Sequence, residues 1–289
     1  MLAYPVSAKP IDYSKPVFIQ PKLDGVRCLI QYENIPRKKI ECLSGRLTEN
    51  VVVAYSRTGK EWKNINHILE NLIPFFRKYP NVVLDGELYN HDFKNDFEQI
   101  ISMVRKTKPT PEARVKSRDN VQFHCYDFVN KKMNFKTRDK WLLNNLPKSY
   151  CVNHVETYIV SELEAPIYHK LNLDAGYEGS IVRLDKPYEC KRSHNLRKFK
   201  DFQDAEANIV GYEEGKGKRT GTLGKFIMQD DDGNQFGCPP GKGHNYKDLA
   251  RMLIEIHKYM GQRATFTYFE RTKAGSYRHP LYKCIRNYE

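Results

Sequence analysis

The sequence predicts an α+β fold in two parts. Three observations support this reading. Short segments rich in Val, Ile, Phe and Tyr recur along the chain, only two stretches carry a helical period, and a polar segment, DFQDAEA, breaks the pattern near Gln203. The expected strands are VFIQ, VRCLIQY, VVVAYSR, VVLDGELY, VQFHCYDFV and SIVRL, then NIVGY, KFIMQD and ATFTYFERT, most of them ending near Gly, Asp or Asn. The first expected helix carries Ile65, Ile68, Leu69, Leu72 and Phe76 three or four apart, with Pro74 as a kink and Pro80 as a stop. The second carries Leu249, Met252, Leu253, Ile256 and Met260, with Gly261 at its end. Both stripes read as core. The boundary near Gln203 divides the chain into residues 1–202 and 203–289.

Composition narrows the function classes. A chain of 289 residues can bury a substantial core without covalent staples. No apolar run approaches the roughly 20 residues needed to cross a bilayer, and MLAYPVSAKPIDYSKP has no signal-peptide character, so a soluble cytoplasmic protein is expected. Seven cysteines without a C-x-x-C pair argue against a disulfide framework or a zinc knuckle. The net charge of +13 points to a polyanionic partner such as nucleic acid. Residues 203–289 hold 14 Lys+Arg against 11 Asp+Glu, so the first 202 residues carry +10 of the excess.

The chemistry-bearing residues begin at IQPKLDGVRCLI. Taken alone, Asp24-Gly25 between strand-like runs is a hairpin signal, and Lys22 would be a solvated turn residue. Other polar residues sit at strand ends, where packing has little use for them. Glu87 follows a second Asp-Gly in LDGELYN, Glu178 and Arg183 flank the strand in YEGSIVRL, and Lys198 and Lys200 share a face in an extended LRKFK. Neither a Walker A pattern nor a G-x-G-x-x-G after a strand occurs, so any nucleotide is bound by another architecture.

In this order, K-L-D-G-V-R, S-R-T-G, D-G-E, an aromatic-Asp pair, E-G-x-I-V-R and K-x-K resemble the motifs of the covalent nucleotidyltransferases, most closely the minimal ATP-dependent DNA ligases of phages and viruses. The resemblance runs from about Val17 to Glu289. It implies a nucleotidyltransferase (adenylation) domain with antiparallel sheets and flanking helices, followed by a β-barrel OB-fold domain. It also implies ATP as AMP donor, Mg²⁺ or another divalent cation, and nicked duplex DNA as the partner of a monomeric enzyme in the cytoplasm, the host's if the source is viral.

Residue roles follow from the same resemblance. Lys22 would form the lysyl-AMP, with its proton discouraged by nearby cations and partial burial. Lys198 and Lys200 would touch the α-phosphate. Glu87 would bind ribose and later metal, and Glu178 would bind metal. Tyr126 would stack on adenine beside Leu23, while Gln20 stands where many relatives carry a base-contacting Glu. Arg27 and Arg57 match phosphate-holding arginines, with Arg183 as a further contact. Asp24 would assist the final attack. In the OB part, EGKGKRTGTLGKF with Lys216 and Lys218 and RHPLYKCIR with Arg278 and Arg286 would contact DNA. Residues 34–50, which overlap the stretch PRKKIECLSGRLTENVV at 36–52, read as a hairpin and loop or as an added basic DNA contact. Alternatives are an RNA ligase, an mRNA capping guanylyltransferase, or a non-catalytic basic OB-containing protein in which Lys22 sits in a plain hairpin.

Overall fold

The computed structural model describes residues 1–36, 48–94, 96–200, 202–241, 243–268, 271 and 275–286. Arg37, Lys38, Lys39 and Arg46, the basic residues of the expected added contact, lie outside the described residues. The chain divides into two compact units, Met1–Lys200 and Asp201–Glu289. Among the described residues no helix is long and apolar enough to cross a membrane.

In the first unit the strands and helices run β1 (Leu2–Pro5), β2 (Val17–Pro21), β3 (Val26–Pro36), β4 (Thr48–Tyr55), α1 (Asn66–Lys78), β5 (Val83–Tyr89), α2 (Phe97–Val104) and α3 (Pro111–Asn120). They continue with β6 (Gln122–Phe128), α4 (Phe135–Asn145), β7 (Val152–His154), β8 (Tyr158–Ile159), α5 (Glu164–Asp174), β9 (Ser180–Leu184) and β10 (Arg192–Phe199). Two five-stranded sheets result, ordered β1-β10-β9-β2-β8 and β4-β3-β5-β6-β7. Pairing is antiparallel except for β1 with β10 and β6 with β7.

Alternation along β3, β5 and β6 explains the second sheet's two faces. Cys28, Ile30, Leu84, Leu88, Phe123 and Cys125 are fully buried against Ile68, Leu72 and Phe76 of α1. The opposite face carries Arg27, Asp85 and Glu87, because Arg27 lies across from Glu87 and Glu87 across from His124. Helix α1 runs through Pro74 as one element. It is the first of the two helices legible from periodicity.

The second unit holds β11 (Gln203–Glu214), β12 (Leu223–Gln229), β13 (Gln235–Cys238), α6 (Tyr246–Ile254), β14 (Arg263–Tyr268) and β15 (Leu281–Ile285), in the order β13-β12-β11-β14-β15. Its edges meet. Gly241 donates to the Tyr282 carbonyl at 3.0 Å and Tyr282 donates to the Pro239 carbonyl at 2.8 Å, which closes a small barrel. Ile209, Phe226, Met228, Phe266 and Tyr282 fill it, and Leu249 and Met252 of α6 pack against them. Asn245 and Asp248 cap α6 reciprocally. The apolar period expected to continue to Met260 ends as α-helix at Ile254 and resumes as a 3₁₀ turn at Ile256–Lys258.

Candidate active site

Lys22 is not in a hairpin. Strands β2 and β3, on either side of Lys22–Gly25, belong to different sheets, so these four residues bridge the two layers. The backbone of Lys22 is sewn to the segment before β9. Its N–H donates to the Gly179 carbonyl at 2.9 Å and its carbonyl accepts from Glu178 N–H at 3.1 Å. Gly25 is required by close approach, since a Cβ there would stand 2.4 Å from the Leu88 carbonyl oxygen.

Glu178 lies between two lysines. Lys22 Nζ contacts its Oε2 and Lys200 Nζ its Oε1, and the carboxylate is buried with only 5% of its side chain exposed. Here the structure departs from the expectation that Lys22 is surrounded by cations, because an acceptor touches the amine directly. One carboxylate shared by two ammonium groups still leaves positive charge in excess. Lys198 and Lys200 stand two apart at the end of β10, on one face of the strand, both half-buried.

The neighbouring sheet supplies the next groups. Burial raises the Glu87 carboxyl to about 8, with Asp85 and Asp24 adding to the rise and Lys22 and Arg27 opposing it. The pairing of β5 with β6 shifts register between Asp85 and Gly86, a bulge that leaves Tyr126 without a direct partner. Its hydroxyl reaches Glu87 Oε2 at 3.4 Å. Tyr126 packs with Leu23, Tyr89, Val155 and Tyr177. Leu23 therefore belongs to the cluster against which Tyr126 packs, and Asp24 to the electrostatic surroundings of Glu87.

Two residues expected at the nucleotide or phosphate are engaged inside the protein. Arg183 was expected to meet phosphate, but it is buried. Its Nε donates to Gln20 Oε1 at 2.6 Å, its Nη1 donates to Asp127 Oδ2 at 2.8 Å, and its guanidinium lies over the rings of Tyr126 and Phe135. A guanidinium so enclosed has no path to an external phosphate. Gln20, expected near the base edge, is equally committed, since its amide donates to Thr157 Oγ1 at 2.9 Å and to the Tyr126 carbonyl at 3.3 Å. Arg27 keeps a place at a cavity, but its two-pronged face is taken. Nε and Nη2 each donate to Asp85 at 2.9 Å, Nη1 donates to the Met1 carbonyl and Nη2 also reaches Tyr188 Oη. The cavity, about 240 Å³, is lined by Arg27, Arg57, Tyr188 and Lys191 among others, with Arg57 exposed on its rim.

Comparison with known proteins gives this arrangement a context. Residues 1–200 match the ATP dependent DNA ligase domain, and residues 214–286 the DNA ligase OB-like domain. The chain belongs to the ATP-dependent DNA ligase family. A DNA ligase of African swine fever virus is 27% identical over 270 residues, 87% of this chain and 59% of that protein. A DNA ligase of Haemophilus influenzae is 25% identical over 198 residues, 65% of this chain and 69% of that protein. The chain thus spans well under two thirds of the viral relative. A solved Lig E DNA ligase superposes with a TM-score of 0.76 at 22% identity, covering 99% of this chain and 98% of that one, a likeness of fold. The α+β fold with an OB-like C-terminal part is borne out.

In the ligase OB-like part, Lys216 and Lys218 are exposed on the connection between β11 and β12. Arg286 pairs with Glu206 at 3.0 Å and Arg278 is half-buried. Sequence reasoning missed Asp85, Asp127, Arg138 and Tyr188. Arg138, 1% exposed, donates to both oxygens of Asp127, and Tyr188 Oη donates to Asp85 Oδ2 at 2.7 Å. Asp85 and Asp127 stood inside the quoted motifs, as the acids of Asp-Gly-Glu and of the aromatic-Asp pair. Nothing in the sequence around Arg138 or Tyr188 marks them.

Proposed function

We propose that this chain is a DNA ligase that seals nicks in duplex DNA through a lysyl-AMP intermediate. The observation that carries the reading is Lys22 at the junction of two sheets, in contact with Glu178, which Lys200 also holds. Lys22 Nζ attacks the α-phosphorus of ATP; the P–N bond forms as the α–β P–O bond breaks and pyrophosphate leaves. A 5′-phosphate oxygen at the nick then takes the AMP and frees Lys22. Finally the 3′-hydroxyl attacks the phosphorus of that 5′-phosphate, the new P–O bond forms as the bond to the adenylate oxygen breaks, and AMP departs. Each step needs positioning and charge neutralisation more than acid-base machinery.

The roles we assign to the residues are supported by where they lie. Lys198 and Lys200 neutralise the α-phosphate as charge builds in the transition state. Tyr126 stacks on adenine, Glu87 faces the ribose, and Arg27 and Arg57 line a cavity of phosphate-accepting character. Asp24 lies close enough to Glu87 to influence it and assists the last attack. A divalent cation fits the donors present. Among the described residues no group of three or more His, Cys, Asp or Glu side chains could hold a metal, but Mg²⁺ is commonly bound by one or two carboxylates together with substrate phosphates, and Glu87 and Glu178 supply two. Bound there, the ion would offset negative charge on the phosphates. Lys216, Lys218, Arg278 and Arg286 contact the DNA backbone. The enzyme acts as a soluble monomer in the cytoplasm, the host's if the source is viral.

The test is intact mass after incubation with ATP and Mg²⁺, on protein first stripped of bound adenylate, with Lys22→Ala alongside, followed by joining of a nicked duplex. One AMP on wild type, none on the variant, and a sealed strand are expected. Label taken only from GTP, or joining confined to RNA, would overturn the reading.

A further inference from the structure

We infer that His169 is a positioning residue of the adenylylation site, acting through the hydroxyl of Ser180; this rests on the function proposed above. The three segments that carry the reacting groups converge on Ser180. It pairs with Pro21, the residue before Lys22, and with Phe199, the residue before Lys200, and it follows Glu178 by two positions. Whatever fixes Ser180 fixes the ends of all three.

Helix α5 supplies what fixes it. His169 Nδ1 lies 3.0 Å from Ser180 Oγ, and Asn172 Nδ2 donates to the same oxygen at 2.8 Å. Ser180 is fully buried, and among the described residues its hydroxyl proton has no acceptor other than His169 Nδ1. The hydroxyl therefore donates to Nδ1 of the imidazole. The same ring stacks on Phe199, with centroids 3.7 Å apart and planes within 11°. Phe199 sits between Lys198 and Lys200, so its side chain points away from theirs. One side chain thus braces the Glu178 segment through a hydrogen bond and the lysine strand through a stack.

There is little slack between these two holds. Gly179 has φ +139°, and a Cβ on it would lie 2.4 Å from the Phe199 carbonyl oxygen and 3.4 Å from His169 Cε1. A change at His169 is therefore transmitted to the spacing of Glu178, Lys200 and Lys22. The reacting atoms themselves are not touched.

Single-turnover formation of lysyl-AMP from ATP and Mg²⁺ tests this on the full chain. His169→Phe keeps a ring on Phe199 and removes the acceptor; Ser180→Ala removes the donor with minimal change of volume; His169→Asn restores an acceptor near the Nδ1 position. His169→Phe and Ser180→Ala should each slow transfer by about 10- to 100-fold, with the KM for ATP changed by less than about threefold. The double variant should be no slower than the worse single, because both remove one interaction. His169→Asn should recover much of the rate. Wild-type rate in Ser180→Ala, multiplying losses in the double variant, or a KM rising in step with the fall in rate would overturn the inference. Should His169→Phe fail to fold, Ser180→Ala and His169→Asn decide it alone. A wild-type protein that never takes up AMP would remove the proposed function and this inference with it, whereas normal wild-type transfer with indifferent variants removes only the inference.

Discussion

Replacing Glu87 with glutamine should stabilise the first unit, and by more as the pH rises. The folded protein holds this carboxyl at about 8 against an ordinary value of 4.5, with burial as the largest cause. Between those values the native state keeps a proton that the unfolded chain has released. Unfolding then becomes easier with each pH unit, by about 1.36 kcal/mol at most. From pH 5.5 to pH 8 the wild type loses up to about 3 kcal/mol through this one group, while glutamine has no proton to lose. The gap between variant and wild type should therefore widen across that window and level off above pH 8. Urea unfolding followed by tryptophan fluorescence reads the correct unit, because the two tryptophans, Trp62 and Trp141, both lie in the first. Groups unaffected by the change cancel in the difference. A gap constant to within about 0.5 kcal/mol, or one that narrows as pH rises, would refute the burial reasoning.

Other substitutions probe the remaining parts. Tyr126→Phe should leave adenylylation within about threefold of wild type, since only a 3.4 Å hydroxyl contact is lost, whereas Tyr126→Ala should weaken ATP use by about 10-fold or more through lost stacking; steady-state KM values separate the two. Arg138→Met leaves Asp127 with one of its two buried arginines and should cost about 3 kcal/mol in urea unfolding, a loss below about 1 kcal/mol counting against a tight buried pair. Lys216→Ala combined with Lys218→Ala should weaken duplex binding irrespective of sequence and lower the log–log salt slope by about 2, as titrations at several salt concentrations will register; an unchanged slope places these lysines off the DNA.

How much of this was legible in the sequence depended on where side chains point. The apolar stripe of α1 faces the core, so its period matched its structure. Helix α5 could not be read that way. Its i, i+4 series Leu163, Ile167 and Leu171 is exposed, while its buried face carries Ala165 and His169. Helix α4 buries Arg138 beside Phe135 and Leu142, and α3 is almost wholly polar, so neither shows an apolar stripe. The Asp-Gly of Lys22–Gly25, taken alone, points to a hairpin for a related reason. Local turn chemistry matches a hairpin, but β2 finds its partners in β8 and β9, far along the chain, while β3 pairs with β4 and β5 in the other sheet. Ordered motifs singled out Glu87, Glu178 and Lys200 because each lies in a short run of sequence that carries the pattern, although it is pairing across long stretches of chain that brings Glu178 and Lys200 to Lys22. They could not tell that Arg183 turns inward, since that depends on Asp127 and Gln20 arriving from two other strands.

The four-residue bridge from β2 to β3 also sets how this part of the gene can change. Because strand faces alternate with a period of two, a codon added or removed between Pro21 and Val26 that slid β3 one place against β4 and β5 would swing Cys28 and Ile30 out of the interior and drive Arg27 and Leu29 into it. To spare the register, a change of length here has to be taken up within the bridge itself, where Lys22 is sewn to Glu178 and Gly179 and Gly25 is pressed against Leu88.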